Sequence, residues 1–467
     1  MGKDLQGMKQ LFLKIIASLC ALCMLAGCAD AAPSPDAGSG AACSSGPQNA
    51  AYEPGREDAA YAPGREDAMF GPEDAAAASL RIVSGLRNNI SWGCSSETGF
   101  YSLLGRSDGS VNICYLDYAS RREIILCGSP DCLHNTESCT GWIAPGNGAA
   151  IPFVDGDHLY LAFLGNMHGL DDGVPPKIVR RDLNGQNETT LITFSSSETF
   201  LRPFVSDGAY LYFLKKSFQM GNSSALGTYE LVQMDLKTGA CALLGQWNEP
   251  HTLSLAGTDG KNLLVQDIGL STGGGEDAAT PHWAYTFYAV DPSTGESKTV
   301  WVWQTMEEIS ERGEGRVLGG KYYYYNSEDG TILQYDFEQG SLTTVAENVP
   351  ELMTGTAGAC FDCFADGNLF VQSGTGFYAA VSVETGGITE LSLSYAEGEK
   401  EKPVRIVDIA GDHFVVTMGT REVMIPGFDY DGLPIESPSF EDTLALIAKE
   451  DYLANRANYI PLERYGQ

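Results

Sequence analysis

Short apolar runs separated by Asp-Gly or Gly-Gly pairs recur along most of the chain. The clearest is Val154-Asp155-Gly156-Asp157-His158-Leu159-Tyr160-Leu161-Ala162-Phe163, and near-copies start at Ser206, Thr258, Leu318, Ala365 and Ile409. A diverged copy, Ser96-Glu97-Thr98-Gly99-Phe100-Tyr101, precedes them. Asp-Gly and Gly-Gly tolerate the positive φ angles of a two-residue type I′ turn, so each copy predicts a hairpin. The run after each turn, such as Tyr210-Leu211-Tyr212-Phe213-Leu214 or Tyr322-Tyr323-Tyr324-Tyr325, is apolar at consecutive positions and does not alternate. Both faces of that strand must then be covered, which makes it an inner strand.

A second pattern follows in most units: an apolar strand ending in Asp, then Gly, then another strand. Examples are Met234-Asp235 with Gly239, Val290-Asp291 with Gly295, and Tyr335-Asp336 with Gly340. Each unit therefore reads as four antiparallel strands, repeated about every 44 to 60 residues. Radial repetition of such units predicts an all-β fold, a β-propeller. Hairpins near residues 99, 156, 208, 260, 319, 367 and 411 predict seven four-stranded blades, with six or eight as alternatives. A stacked β-sandwich is the competing architecture.

Upstream of the repeats the pattern changes. Lys3, Lys9 and Lys14 precede an apolar run over residues 15–25, then Leu25-Ala26-Gly27-Cys28. A basic start, a short apolar core and small residues before the cut describe a secretory signal peptide, too short to span a membrane. Met8 is an alternative start to Met1. Leu25-Ala26-Gly27-Cys28 resembles the lipobox of bacterial lipoproteins, which implies cleavage before Cys28, lipidation of its thiol and amine, and anchoring to the outer face of the cell membrane. Residues 29–79 are rich in Ala, Pro, Gly, Ser and acidic side chains, with few aliphatics to bury, which predicts a disordered tether. The expected organisation is a signal peptide over 1–27, lipidated Cys28 and tether over 28–79, and a propeller over 80–467. The tail 443–462 is read as outer strands of the last blade, with residues 80–84 as an alternative closing strand.

Charge narrows the partners. Against 61 Asp and Glu there are 29 Lys and Arg, a net charge of −32. Such a surface does not suit nucleic acid, whose phosphates need Lys and Arg. A monomer is expected. The connections between second and third strands swell at 165–177, 215–228, 267–281 and 419–441, all on one face of the ring. Long loops on a rigid scaffold usually carry binding. That face would present His168, Asp171, Asp172, His282, Trp283, Asp429, Tyr430 and Asp431, aromatics beside carboxylates that suit a glycan, peptide or protein ligand.

The densest chemistry is Cys127, Cys132, His134 and Cys139, spaced C-x4-C-x-H-x4-C and placed between the last strand of unit one and the first of unit two. Thiolates and imidazole are preferred Zn²⁺ ligands, and a closed set of four would be structural, without catalysis. A disulfide among these cysteines is the alternative in an exported protein, with the odd thiol pairing with Cys94 or Cys114. Cys360 and Cys363 have C-x-x-C spacing on a predicted strand, where positions three apart point to opposite faces, so buried thiols are expected. No G-x-S-x-G, H-E-x-x-H or P-loop is present.

The string from Leu126-Cys127 through Pro130-Asp131-Cys132-Leu133-His134 to Ser138-Cys139, with the tail Leu446-Ile447-Ala448-Lys449-Glu450-Asp451-Tyr452, resembles propeller lipoproteins of anaerobic Gram-positive bacteria. That resemblance implies a surface propeller and assigns no activity. The function expected is a lipid-anchored binding or interaction module. A surface polysaccharide hydrolase or lyase, with carboxylates drawn from several blades, and a structural envelope component are the alternatives.

Overall fold

The structure, a computed structural model, describes residues 79–465 except 85–92, 107, 148, 166–172, 219–226, 249–251, 273–280, 306–314, 327–328, 350–360, 373–376, 398–399 and 429–433. The sheets follow one another in sequence order and form a ring, a seven-bladed β-propeller of four-stranded antiparallel blades. The blades cover residues 93–143, 150–193, 198–248, 252–305, 316–346, 361–390 and 405–462. A small hairpin, Ser394–Glu397 with Lys400–Pro403, links blades 6 and 7.

The repeated turns close the first and second strands of each blade. Both loop residues have positive φ at Gly319-Gly320 and Asp366-Gly367, the type I′ pattern. In the turns at Gly156 and Gly411 the glycine alone is positive and takes the first loop position, the II′ pattern. The strand that follows is buried on both faces. Tyr322 and Tyr324 pack into the core shared by blades 4 and 5, and Tyr323 and Tyr325 into that shared by blades 5 and 6. Seven such cores occupy the seven junctions, including blade 7 to blade 1, where Phe100 and Leu116 meet Val415, Leu446 and Leu462.

The Asp and Gly of the second pattern have separate tasks. Asp235 Oδ1 accepts the N–H groups of Lys237 and Thr238, at 2.8 and 2.7 Å, and Asp336 Oδ1 those of Glu338 and Gln339, both at 3.0 Å. The carboxylate thus fixes the turn between third and fourth strands. The glycine touches the preceding blade: a Cβ on Gly239 would meet the Leu191 carbonyl at 2.1 Å, and one on Gly386 the Val345 carbonyl at 2.5 Å.

Blade 7 takes all four strands from residues 405–462, so the ring closes without exchanging a strand. Its seam with blade 1 is tied at two radii. On the inside, the Ser95 N–H donates to Asp408 Oδ2 at 2.9 Å. On the outside, the Glu123 N–H donates to the Glu463 carbonyl at 2.8 Å, and the Glu463 N–H to the Arg121 carbonyl at 2.9 Å.

Residues 80–84 do not close that blade. Arg81 and Ile82 pair antiparallel with Ser206 and Val205 of the innermost strand of blade 3, inside the ring. The Leu80 N–H donates to the Gly260 carbonyl at 3.1 Å and the Val83 N–H to the Phe204 carbonyl at 3.0 Å, while Arg81 pairs with Asp155 of blade 2. Asp155 and Gly260 lie at first-to-second-strand turns, so the chain enters the ring from that face and runs toward the other. Leu80 and Val83 are each 6% exposed and fill the cores on either side of blade 3.

The tail is as read in its strands, residues 443–448 ending the third strand of blade 7, Pro434–Ala448, and Ile460–Leu462 forming the fourth, but Lys449–Leu453 between them is a one-turn helix. A further expectation is corrected. Among the described residues, those read as swollen loops in blades 3, 4 and 7 belong to lengthened hairpins: Tyr210–Phe218 with Gly227–Asp235, Leu263–Thr272 with Pro281–Val290, and His413–Phe428 with Pro434–Ala448.

Asp408 gives the inner seam a pH dependence. Burial pushes its carboxyl above the ordinary aspartate range, against the N–H bonds from Ile409 and Ser95, and its charge acts on Cys94 and Tyr118. The folded state therefore holds this proton more tightly than the unfolded chain, so the contribution to stability is complete below about pH 3.9 and is lost as pH rises through the raised native value. Asp408→Asn is expected to gain melting temperature relative to the wild type between about pH 4 and about pH 7. Parallel melting curves for the two proteins across that range would dismiss this account.

Candidate metal centre

The Cys/His string lies within the outermost strand of blade 1. That strand begins as Arg122–Ile125 and resumes as Trp142–Ile143, both paired with Val111–Asp117. One residue pinches the neck of the insertion between them: the Leu126 N–H donates to the Ile113 carbonyl at 2.8 Å, and the Ile113 N–H to the Gly141 carbonyl at 2.7 Å. At the neck, a Cβ on Gly141 would meet Ile125 Cγ2 at 2.8 Å. The insertion, residues 127–140, thus lies on the rim of the ring facing blade 2, between the fourth strand of blade 1 and the first strand of blade 2, Ala150–Asp155, as the sequence reading had it, with the short strand Trp142–Ile143 added after it.

Inside the insertion the backbone is held by short-range bonds. The Cys139 N–H donates to the Thr136 carbonyl at 2.9 Å, and Thr140 Oγ1 to the Leu126 carbonyl at 2.9 Å. Buried Asn112 reaches in from the neighbouring strand, its Nδ2 donating to the His134 carbonyl at 2.9 Å. That bond holds His134 in a left-handed turn, φ 56°.

These constraints bring the ligand atoms of Cys127, Cys132, His134 and Cys139 within 4.8 Å of one another. His134 Nδ1 is 3.3 Å from Cys139 Sγ, and the His134 N–H donates to Cys132 Sγ at 3.3 Å. A tetrahedral site with Zn–S near 2.3 Å and Zn–N near 2.05 Å has edges of roughly 3.5 to 3.8 Å, so the four side chains are close enough to hold a metal ion. Their thiols are not alike. At Cys127 burial opposes ionisation, but the Ser129 N–H and the Cys139 and Cys132 thiols outweigh it and draw the pKa below the usual thiol value. Burial, with the same neighbouring thiols, pushes Cys139 up to about 12.

Cys94, Cys114 and Cys363 are buried, in strands, and none belongs to the cluster. Cys360 lies outside the described residues, as do Cys28, His168, Asp171, Asp172, Asp429, Tyr430 and Asp431. The backbone of His282 pairs with Ser271 in the blade 4 hairpin. Trp283, next to it, packs against the aromatic core between blades 4 and 5.

Three residues around the cluster escaped the sequence reading: Asn112, Trp142 and Arg181. Arg181, on the third strand of blade 2, is 5% exposed. Its Nη1 donates to the Thr140 and Gly185 carbonyls and its Nη2 pairs with Glu188. Trp142 Nε1 and Arg181 Nε are buried and have no hydrogen-bond partner. A buried donor left unmet costs about 1–3 kcal/mol. A groove of about 470 Å³ runs between the insertion and blade 2, lined by Cys139, Trp142, Lys177 and Arg181 among others.

No family model matches the chain, and no curated protein matches it. Among solved structures it is similar to an oligogalacturonate lyase from Vibrio parahaemolyticus, at 14% identity over 80% of this chain and 92% of that one, TM-score 0.41. The β-propeller domain of the Trilobed protease from Pyrococcus furiosus matches at 13% identity over 82% and 99%, TM-score 0.39. BamB from Moraxella catarrhalis matches at 14% over 79% and 97%, TM-score 0.36. Similarity at this level assigns no activity.

Proposed function

We propose that the chain is an exported binding module, lipid-anchored through Cys28, that presents one face of its propeller to a glycan, peptide or protein. We further propose that Cys127, Cys132, His134 and Cys139 hold a structural Zn²⁺ at the rim. The lengthened hairpins carry the binding reading. Second strands all run away from the face of the repeated turns, so the extended pairs in blades 3, 4 and 7 rise together on the opposite face. The blade 7 strand of 16 residues, against 6 in blade 2, adds roughly 30 Å of ribbon.

The channel supports binding over hydrolysis or elimination. It carries residues 80–84, and the carboxylates that reach it are already engaged. Asp155 accepts from Ser206 and pairs with Arg81, and Asp408 accepts from Ser95 and Ile409. A carboxylate pair free to act on a sugar is not found there among the described residues.

The test uses the full chain and two variants. Cys28→Ser should leave the membrane pellet for the soluble fraction. Replacing residues 419–441 by a two-residue turn should leave the protein in the pellet and abolish its binding to arrayed surface glycans and peptides. Unchanged array binding without the ribbon would defeat the binding reading, and a Cys28→Ser protein still in the pellet would defeat the anchor.

A further inference from the structure

Trp142 Nε1 and Arg181 Nε are the two buried side-chain donors without a partner among the described residues, and both belong to side chains lining the groove beside Cys139. They come from different blades. Trp142 begins the resumed outer strand of blade 1, its backbone N–H donating to the Cys139 carbonyl at 3.1 Å. Arg181 projects from blade 2 and already holds the carbonyl of Thr140, next to Cys139. Both Arg181 and Cys139 line the same groove. Buried donors are nearly always satisfied, so two unmet ones at a single place point to an acceptor that the protein chain alone does not supply.

The chemistry of the cluster identifies that acceptor. A neutral thiol is a weak acceptor, whereas a metal-bound thiolate carries negative charge and takes N–H donors readily. Three thiolates and a neutral imidazole around Zn²⁺ leave the assembly with one negative charge, at a site where Cys139 is buried and the other three ligands are half-buried. A buried charge needs a counter-charge and hydrogen bonds.

We infer that Trp142 and Arg181 are the outer partners of the metal centre, each donating its unpartnered N–H to a metal-bound thiolate, Arg181 doing so while its Nη2 stays paired with Glu188. Loading of the cluster on blade 1 then engages a cation rooted in blade 2, and the insertion becomes a clasp across that junction. Both residues act through the ligands and touch no substrate, so they are positioning residues. This inference rests on the zinc reading above.

The experiment measures Zn²⁺ affinity of the full chain by competition with a chromophoric chelator, and the thiolate-to-metal charge-transfer band after loading with Co²⁺. Trp142→Phe keeps the ring and loses the donor; Arg181→Lys keeps the charge and loses the planar fork. Loss of an outer-shell partner typically weakens metal binding about 10- to 100-fold, and that range is expected for each variant. The band should also move to longer wavelength, because the sulfur lone pairs lose a stabilising N–H. Should Arg181→Lys not fold, the smaller but still aromatic Trp142→Phe decides by itself. A wild type that binds no Zn²⁺ overturns the zinc reading and this inference with it. A wild type that binds Zn²⁺, with variants within twofold of it and an unmoved band, overturns this inference alone and leaves water as the partner of the two donors.

Discussion

Glu123→Ala is expected to destabilise the propeller by about 3 kcal/mol, the lower end of what breaking a buried ion pair costs. The side chain of Glu123 is 2% exposed and serves three donors, two of them across the blade 7 to blade 1 seam. Its Oε2 accepts from Arg464 Nε and from the Tyr465 N–H, each at 2.9 Å, and its Oε1 from Ser102 Oγ at 2.9 Å. Arg464 is itself largely buried, and burial works against its charge while Glu123 holds it in place. Glu441 also acts on Arg464, which is why the lower end of the range applies. Glu123→Gln keeps the shape and part of the acceptor capacity and should cost less, about 1–2 kcal/mol. The neighbouring Arg122 and Glu463 form an ion pair at 2.9 Å, but they are 72% and 66% exposed, and Glu463→Gln should change stability by less than about 1 kcal/mol. Urea unfolding of the three variants checks the ranking. Glu123→Ala unfolding at the wild-type midpoint would mean that the tail does not hold the ring.

Cys132→Ser is expected to abolish zinc loading and to open the rim insertion while the ring survives. A serine hydroxyl does not ionise near neutral pH, so the fourth ligand is lost and affinity should fall by more than the roughly 100-fold seen for an outer-shell partner. The damage should stay local. The neck is tied by Ile113, and Leu126 and Ile143 remain in the core between blades 1 and 2. Protease should therefore cut between residues 127 and 140 in the variant, and in the chelated wild type, with the far-ultraviolet strand signal intact. Mass spectrometry of the wild type should find about one zinc per chain, with the three thiols unreactive until chelator is added. Absence of metal, with thiols that appear only after reduction, would make the cluster a disulfide staple.

The blade repeat was legible because its chemistry is local. A glycine turn followed by a run such as Tyr322 to Tyr325 specifies a strand covered on both sides, and seven cores share that burden. The Asp that ends most third strands was legible as a turn signal, but the need for Gly239 and Gly386 came partly from the neighbouring blade, which no single unit displays. The cluster was found by composition and placed between the right two strands, but the resumed strand after it, Trp142–Ile143, is too short to carry a period and was missed. The blade 7 hairpin contains Pro426, Pro434 and Pro438. They sit in a two-stranded ribbon whose outward edges need no N–H, where proline is tolerated. Arg181 had no signal, because its importance comes only from the fold bringing blade 2 against the insertion.

The strand inside the ring has a mechanical consequence. Hydrogen bonds between antiparallel strands lie across the strand axis, so tension applied to the chain ahead of Ser79 pulls Arg81–Ile82 along its own length and loads its bonds to blade 3 in shear. The bonds must then yield together, where peeling an outer strand would break them one at a time. Leu80 reaches blade 4 and Arg81 reaches blade 2, so the pull is divided among three blades before it arrives at blade 1. An N-terminal leash fastened in this way would hold the propeller under drag as a tie threaded through a washer does, with the load carried at the hub instead of at the rim.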